Sequence, residues 1–192
     1  IKAFLWGKVV RCGEKYLSLP GDKLSKKPMR FLGTIEAKID SKGRAFLPAQ
    51  FRKELQGGGE AGLVMRKDIF QPCLVLYPES VWERQTDALR SRLNRWDCSH
   101  QSIFRQFVAE AEAVTLDANG RMLIPKRLLK AAGISQSVKF IGMDDTVEIW
   151  SDGPDGSPFM AQEDFGKAIQ EIMAQGAGRG QEADGGGEAG KI

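Results

Sequence analysis

One ten-residue pattern occurs twice in this chain, and it constrains the fold more than any other feature of the sequence. The first copy, residues 39–48, is IDSKGRAFLP, and the second, residues 116–125, is LDANGRMLIP. Stacked repeat arrays generally need about three or more units, so two copies favour a pseudo-two-fold module over a solenoid. We therefore expect the two copies to build one symmetric unit within a chain.

The first copy predicts a strand, a tight turn, a short return strand and a helix. Residues 34–39 alternate with the period of a half-buried strand. Asp40 can bond backbone amides two residues on, and Gly43 tolerates the positive φ that closes a turn, so the pattern indicates a hairpin. The return strand is predicted from Arg44 to Leu47, and Pro48, which is favoured at the first position of a helix, ends it.

The second copy follows the same plan. Asp117 and Gly120 bound the turn, Pro125 opens a helix, and Gly133 ends that helix in the C′ position. A further strand pair is predicted after each helix, over residues 63–66 and 73–77 in the first copy and over 138–141 and 147–150 in the second.

The rest of the chain divides around these repeats. Residues 1–28 are basic and lack periodicity, which indicates an extension or a misplaced start codon, with a basic arm that touches DNA as the alternative. The Gly-rich end has almost nothing apolar to bury. The predicted organisation is a non-family extension at 1–28, repeat 1 at 34–81, linker helices at 82–107, broken near 97–100, repeat 2 at 108–151, a C-terminal helix at 160–175 and a disordered tail at 176–192.

Charge and apolar content exclude several classes of protein. The net charge is +3, but residues 29–175 hold 19 Lys or Arg against 20 Asp or Glu. Any nucleic-acid contact must therefore come from local placement or from oligomerisation. The longest apolar runs are far shorter than the roughly 20 residues that span a bilayer. Three irregularly spaced cysteines favour a reducing cytoplasm, and we expect no signal peptide and no membrane partner.

No pattern in the sequence favours catalysis. The single histidine, His100, has only Cys98 near it, and a lone Cys-x-His is a weak metal signal. The sequence has neither a phosphate-binding Gly-Lys-Ser/Thr loop nor a Gly-x-Ser-x-Gly nucleophile motif. We therefore expect no enzyme activity, cofactor, metal site or small-molecule substrate.

The repeated Asp-x-x-Gly-Arg has two interpretations. In the structural one, Asp40 and Asp117 satisfy turn amides while Arg44 and Arg121 pair with nearby carboxylates. In the functional one, the turn fixes the start of a short strand, and the arginine reaches phosphates or a guanine edge, because a two-stranded ribbon fits the major groove. Duplication favours the second interpretation, since duplex DNA is itself nearly two-fold symmetric.

Other residues near each turn complete the candidate site. Lys42 and Arg52 in repeat 1, and Lys126 and Arg127 in repeat 2, are candidate DNA-binding residues beside Arg44 and Arg121. An ordinary solvated helix face is the alternative for these four residues and for Lys53 and Lys130 beside them, and it has the most weight for Arg52, Lys53 and Lys130. The turn-forming residues are Asp40, Gly43, Asp117 and Gly120.

Four segments together resemble a known family. MRFLG at 29–33, DSKGR at 40–44, DIFQPCLVLYP at 68–78 and DANGR at 117–121 are similar to the MraZ family of bacterial regulators of the division and cell wall gene cluster. The resemblance extends from about residue 29 to residue 150. It implies an α+β, mainly β fold of two AbrB-like swapped-hairpin, or double-split β-barrel, units with flanking helices.

The resemblance also implies a function. It predicts a cytoplasmic, nucleoid-associated repressor of its own division and cell wall operon, which binds G-rich direct repeats in the promoter as a ring-shaped homo-oligomer. Arg44 corresponds to the family's DNA-contacting arginine, and Arg121 is its partner in the second copy. The alternative is a protein-interaction scaffold or antitoxin-like module in which the hairpins form a dimer core. Exposed turns would favour DNA, and turns buried in an interface would favour the scaffold.

Overall fold

The computed structural model describes residues 29–60, 62–153 and 158–178 of the 192-residue chain. The predicted α+β architecture is confirmed, because one antiparallel sheet holds most of the strands and the described residues also form helices. The elements within the described residues are β1 Thr34–Lys38, β2 Arg44–Phe46, α1 Ala49–Gly57, β3 Leu63–Lys67, β4 Leu74–Pro78, α2 Glu79–Arg92, α3 Cys98–Ala109, β5 Glu112–Val114, β6 Arg121–Leu123, α4 Lys126–Ala131, β7 Ser137–Met143, β8 Thr146–Ser151 and α5 Gln162–Gly178.

The two repeats share one sheet. Its strand order is β1-β7-β8-β4-β3-β5, and every neighbouring pair is antiparallel. Strand β1 of the first repeat pairs with β7 of the second, from Thr34 opposite Ile141 to Lys38 opposite Ser137. Strands β4 and β8 join the repeats a second time. Strand pairing therefore holds the two repeats together within this sheet.

The predicted hairpin between residues 34–39 and the return strand is reduced to a single bridge. Ile39 and Ala45 form that bridge, after which β1 continues to β7 while β2 pairs with β6 of the other repeat. The physical reason is burial: Ala45 and Met122 lie opposite each other in the β2–β6 ribbon, and both are completely buried. A local hairpin would leave this apolar contact unmade.

The main core takes residues from both repeats. Phe31 and Phe51 meet edge to face with ring centroids 5.6 Å apart, and both are fully buried. Ile124 and Leu128 from the second repeat belong to the same cluster. The ribbon and the sheet are therefore held on one shared core, which fixes the direction of the turns.

The linker helices pack on β3 through aromatic and cationic side chains. Trp82 of α2 and Phe107 of α3 stack in parallel, 5.2 Å apart. The buried Arg66 guanidinium lies 4.2 Å from the Phe107 ring centroid and 3.6 Å from a Glu110 carboxylate oxygen. The break between the helices falls at residues 93–97, earlier than the predicted 97–100, because the Asp97 carboxylate caps α3 by accepting from the His100 N–H at 3.0 Å.

Helix α5 extends past its predicted C-terminal limit, and both ends of the chain include residues outside the described ranges. Helix α5 ends at Gly178, so three residues assigned to the disordered tail, 176–178, are helical. Residues 1–28 and 179–192 lie outside the described residues, so the predicted extension and the rest of the tail stay predictions. Among the described helices, none combines the length and apolar character that crossing a membrane requires.

Candidate nucleic-acid interface

The first turn is closed by hydrogen bonds to Asp40. Its Oδ1 accepts from the backbone N–H groups of Lys42 and Arg44, each at 2.9 Å, and its carbonyl accepts from the Gly43 N–H at 2.9 Å. Gly43 has φ +84°, which an L side chain rarely adopts. Asp40 Oδ2 accepts from Arg44 Nε at 2.7 Å, and Arg44 Nη2 lies 2.7 Å from the same oxygen. The carboxylate thus fixes both the turn and the arginine that leaves it.

The second turn repeats this geometry. Asp117 Oδ1 accepts from the N–H groups of Asn119 and Arg121, each at 2.9 Å, and Arg121 Nε donates to Oδ2 at 2.7 Å. Both arginines pair with the aspartate of their own turn, as the structural interpretation of the motif predicts. This pairing also sets the direction of each guanidinium, so it is compatible with a binding role.

The turn hydrogen bonds shift the pKa values of both aspartates. The side-chain hydrogen bond from Arg44 is the main cause that lowers the pKa of Asp40 from its usual 3.8 to about 2. The pKa of Asp117 is also lowered, mainly by the backbone hydrogen bond from Arg121. Both carboxylates therefore remain charged well below neutral pH.

The depressed pKa of Asp40 predicts a defined acid response. Its charged form stabilises the turn fully above the unfolded-state pKa near 3.8, and that contribution is lost as the pH falls toward about 2. Carbon-13 NMR of the aspartate carboxyls should show Asp40 titrating near pH 2. In Arg44→Ala it should move up toward 3.8, while Asp117 stays low. A wild-type Asp40 that titrates at its usual value would contradict the geometry.

Each turn is braced by the other repeat. The Gly43 carbonyl accepts from the Ile124 N–H at 2.9 Å, and the Gly120 carbonyl accepts from the Leu47 N–H at 3.1 Å. Because β2 and β6 are antiparallel, the two turns lie at opposite ends of the ribbon. Arg44 and Arg121 are diagonal neighbours across it, with Cα atoms about 7–8 Å apart.

The outward face of the ribbon combines arginine with apolar side chains. Arg44 lies opposite Leu123, and Phe46 lies opposite Arg121. Phe46 is 55% exposed and Leu123 57% exposed, and the Arg121 guanidinium lies 5.8 Å from the Phe46 ring centroid. Sequence reasoning missed these apolar residues. Strand alternation was the signal, since each occupies the second position after the motif arginine and so shares its face.

Two other predicted basic residues lie beside the first turn. Lys42 is exposed within the turn itself. Lys126, from the start of α4, lines a groove together with Asp40, Ser41 and Gly43. Each motif arginine is paired with an aspartate, whereas Lys42 and Lys126 form no ion pair within the described part of the chain, so these two lysines supply net positive charge at the site.

Arg52 and Arg127 have unequal surroundings. Arg52 crosses from α1 to the second turn, where Nη1 approaches the Asn119 carbonyl at 3.4 Å. Its Nε is buried and has no hydrogen-bond partner among the described residues. Arg127 is instead held by Glu112, whose Oε1 accepts from Nε at 3.0 Å and Nη2 at 2.7 Å. The structure therefore brings Arg52 to a turn and ties Arg127 to β5.

Two sequence repeats that share one sheet, one ribbon and one core define an α+β protein with internal pseudo-two-fold symmetry. A sequence-family model described as "MraZ protein, putative antitoxin-like" matches residues 30–99 and 107–153. The chain belongs to the MraZ family, which confirms the predicted relationship.

Curated relatives match most of the chain, and all three described here are named transcriptional regulator MraZ. One from Phocaeicola vulgatus is 61% identical over 145 residues, covering 76% of this chain and 94% of the relative. One from Bacteroides fragilis is 56% identical over 147 residues, covering 77% and 93%. One from Christiangramia forsetii is 34% identical over 146 residues, covering 76% and 94%.

Proposed function

We propose that this chain is a sequence-specific DNA-binding transcriptional regulator that represses its own division and cell wall operon by binding G-rich direct repeats in the promoter. The observation that carries the proposal is the placement of Arg44 and Arg121 at the two ends of one outward ribbon. The names of the relatives support the regulatory role. No catalytic chemistry enters the proposal.

The ribbon is the reading element in this proposal. A two-stranded ribbon fits the major groove, where an arginine can donate two hydrogen bonds to guanine O6 and N7. Asp40 and Asp117 hold the turns and orient the guanidinium groups. Arg44 and Arg121 then contact guanines, which accounts for a preference for G-rich sites.

Phosphate contacts come from the cations around the turns. Lys42, Arg52 and Lys126 lie beside the two turns and neutralise DNA phosphates in this proposal. Phosphate contacts position a protein on the duplex, whereas base contacts specify the sequence. In this proposal the ribbon contacts the bases, and the cations around the turns contact the phosphates.

Assembly supplies the affinity that one chain lacks. The body is nearly neutral, so a ring-shaped homo-oligomer in the cytoplasm, associated with the nucleoid, would place many ribbons along successive promoter repeats. The pairing of β1 with β7 and of β2 with β6 supports an AbrB-like swapped-hairpin arrangement, in which the two units exchange strands within one chain. The exposed side chain of Lys42 favours DNA over a scaffold with buried turns.

Binding of the full chain to a labelled duplex of the region upstream of its own gene tests the proposal. Each phosphate contact contributes about −0.9 to the slope of log affinity against log salt, so three cations predict a slope of about −3 per chain. A scrambled duplex of equal length should compete poorly, and light scattering should report a mass well above one chain. The proposal fails if the scrambled duplex competes as well as the upstream duplex, or if affinity ignores salt.

A further inference from the structure

We infer that Phe46 and Leu123 read the 5-methyl groups of thymines next to the bases that Arg44 and Arg121 contact. This inference rests on the proposed function and names the bases that its site selects. The ligand is thus duplex DNA in which guanine and thymine lie side by side, rather than any G-rich duplex.

Burial within the ribbon determines which of its side chains point outward. Ala45 and Met122 are completely buried, so the alternate residues of the same short strands must point outward. Those outward residues include Phe46 and Leu123, each more than half exposed. The free energy falls when large apolar groups leave water, so two exposed ones on one small face indicate a contact surface.

The pairing of β2 with β6 puts an apolar side chain beside each motif arginine. Arg44 faces Leu123, and Arg121 faces Phe46, so each arginine has one apolar neighbour from the other repeat. Side chains directly opposite in an antiparallel pair have Cβ atoms about 5 Å apart. Successive bases are about 3.4 Å apart along a strand, so each arginine and its apolar neighbour can reach one base pair and the next.

The chemistry of the major groove matches this arrangement. Guanine presents O6 and N7 acceptors there, and thymine presents a methyl group that phenylalanine and other apolar side chains contact. A second copy of this chain is a poorer occupant of the face. Its apolar contacts would bury the guanidinium N–H groups of Arg44 and Arg121 that Asp40 and Asp117 do not engage, and a buried polar group without a hydrogen-bond partner is costly. DNA supplies both the acceptors and the methyl groups.

Uracil substitution tests the inference, because uracil lacks only the 5-methyl group of thymine. The upstream duplex is prepared with thymidine and, separately, with deoxyuridine in its place. Wild-type protein should bind the uracil duplex about fourfold more weakly for each thymine methyl group that it reads. The Phe46→Ala, Leu123→Ala double variant should bind the two duplexes equally. Phe70→Ala removes another exposed ring, in the loop between β3 and β4, and should keep the wild-type preference.

Each contrary result has a defined meaning. Arginine-dependent binding with equal affinity for the thymine and uracil duplexes overturns this inference and leaves the proposed function intact. A double variant that still discriminates uracil also overturns it, because the methyl groups are then sensed elsewhere. A change in oligomeric mass in that variant overturns it as well, since it assigns the patch to contacts between chains. Where the double variant fails to fold, Phe46→Ala and Leu123→Ala are compared singly. Absence of specific binding by wild type defeats both proposals.

Discussion

Replacing Arg44 and Arg121 together by alanine should lower the affinity for the upstream duplex on the order of a hundredfold, to the level of a scrambled duplex. One bidentate arginine–guanine pair is worth about 1–3 kcal/mol of discrimination, and this variant removes two. The fold should survive, because the ion pairs with Asp40 and Asp117 are partly exposed, and exposed ion pairs contribute little to stability. Fluorescence anisotropy over a salt series measures the change.

Two further variants separate charge from geometry. Arg44→Lys with Arg121→Lys keeps both charges but removes the planar fork, so it should lose specificity while nearly keeping the salt slope. Arg84→Ala removes an arginine of α2 that pairs with Asp145, and it should bind like wild type. The single Arg44 and Arg121 variants report which repeat dominates.

An unchanged affinity in the double alanine variant would contradict the site. With the oligomeric mass intact, that result would move recognition to residues 1–28 or to the helices. Loss of binding together with loss of mass would instead make the arginines part of assembly, as the scaffold alternative requires. Only loss of binding at constant mass places recognition at the repeated turns.

Local features of the fold could be predicted because local chemistry sets them. Asp-x-x-Gly fixes each turn through hydrogen bonds within five residues, and Gly133 ends α4 with φ +63°, as expected for the C′ position. The strand that pairs with β1 could not be predicted from such local chemistry. This pairing depends on β7, about a hundred residues away, and on the burial of Ala45 against Met122.

The same distinction applies to the candidate site. The motif itself pointed to Arg44 and Arg121, since repetition marks them. The position of Arg52 on the second turn depends on the fold, because its partner Asn119 is 67 residues away. Strand alternation puts Phe46 and Leu123 on the same face as the motif arginines, but the packed ribbon is needed to show that the core leaves this face exposed.

Gly120→Ala should lower the free energy of unfolding by about 1–3 kcal/mol and weaken DNA binding in parallel. Gly120 has φ +78°, and a Cβ atom placed there would overlap the Arg52 side chain. Either the turn or Arg52 must move, and both lie at the proposed interface. Guanidinium denaturation measures the stability, and the upstream duplex measures the binding.

Gly133→Ala separates the two causes. Gly133 has φ +63°, and an added Cβ would meet nothing within 4 Å, so alanine there costs backbone strain alone, about 1 kcal/mol. In an Arg52→Ala background, Gly120→Ala should fall to the cost of Gly133→Ala, because the overlap is gone, and a double-mutant cycle yields the coupling. A coupling free energy of zero in this cycle would show that Arg52 does not brace the second turn. A coupling free energy close to the predicted difference between Gly120→Ala and Gly133→Ala would show that Arg52, from α1 of the first repeat, braces the turn of the second, so the second repeat would depend on the first for its half of the interface.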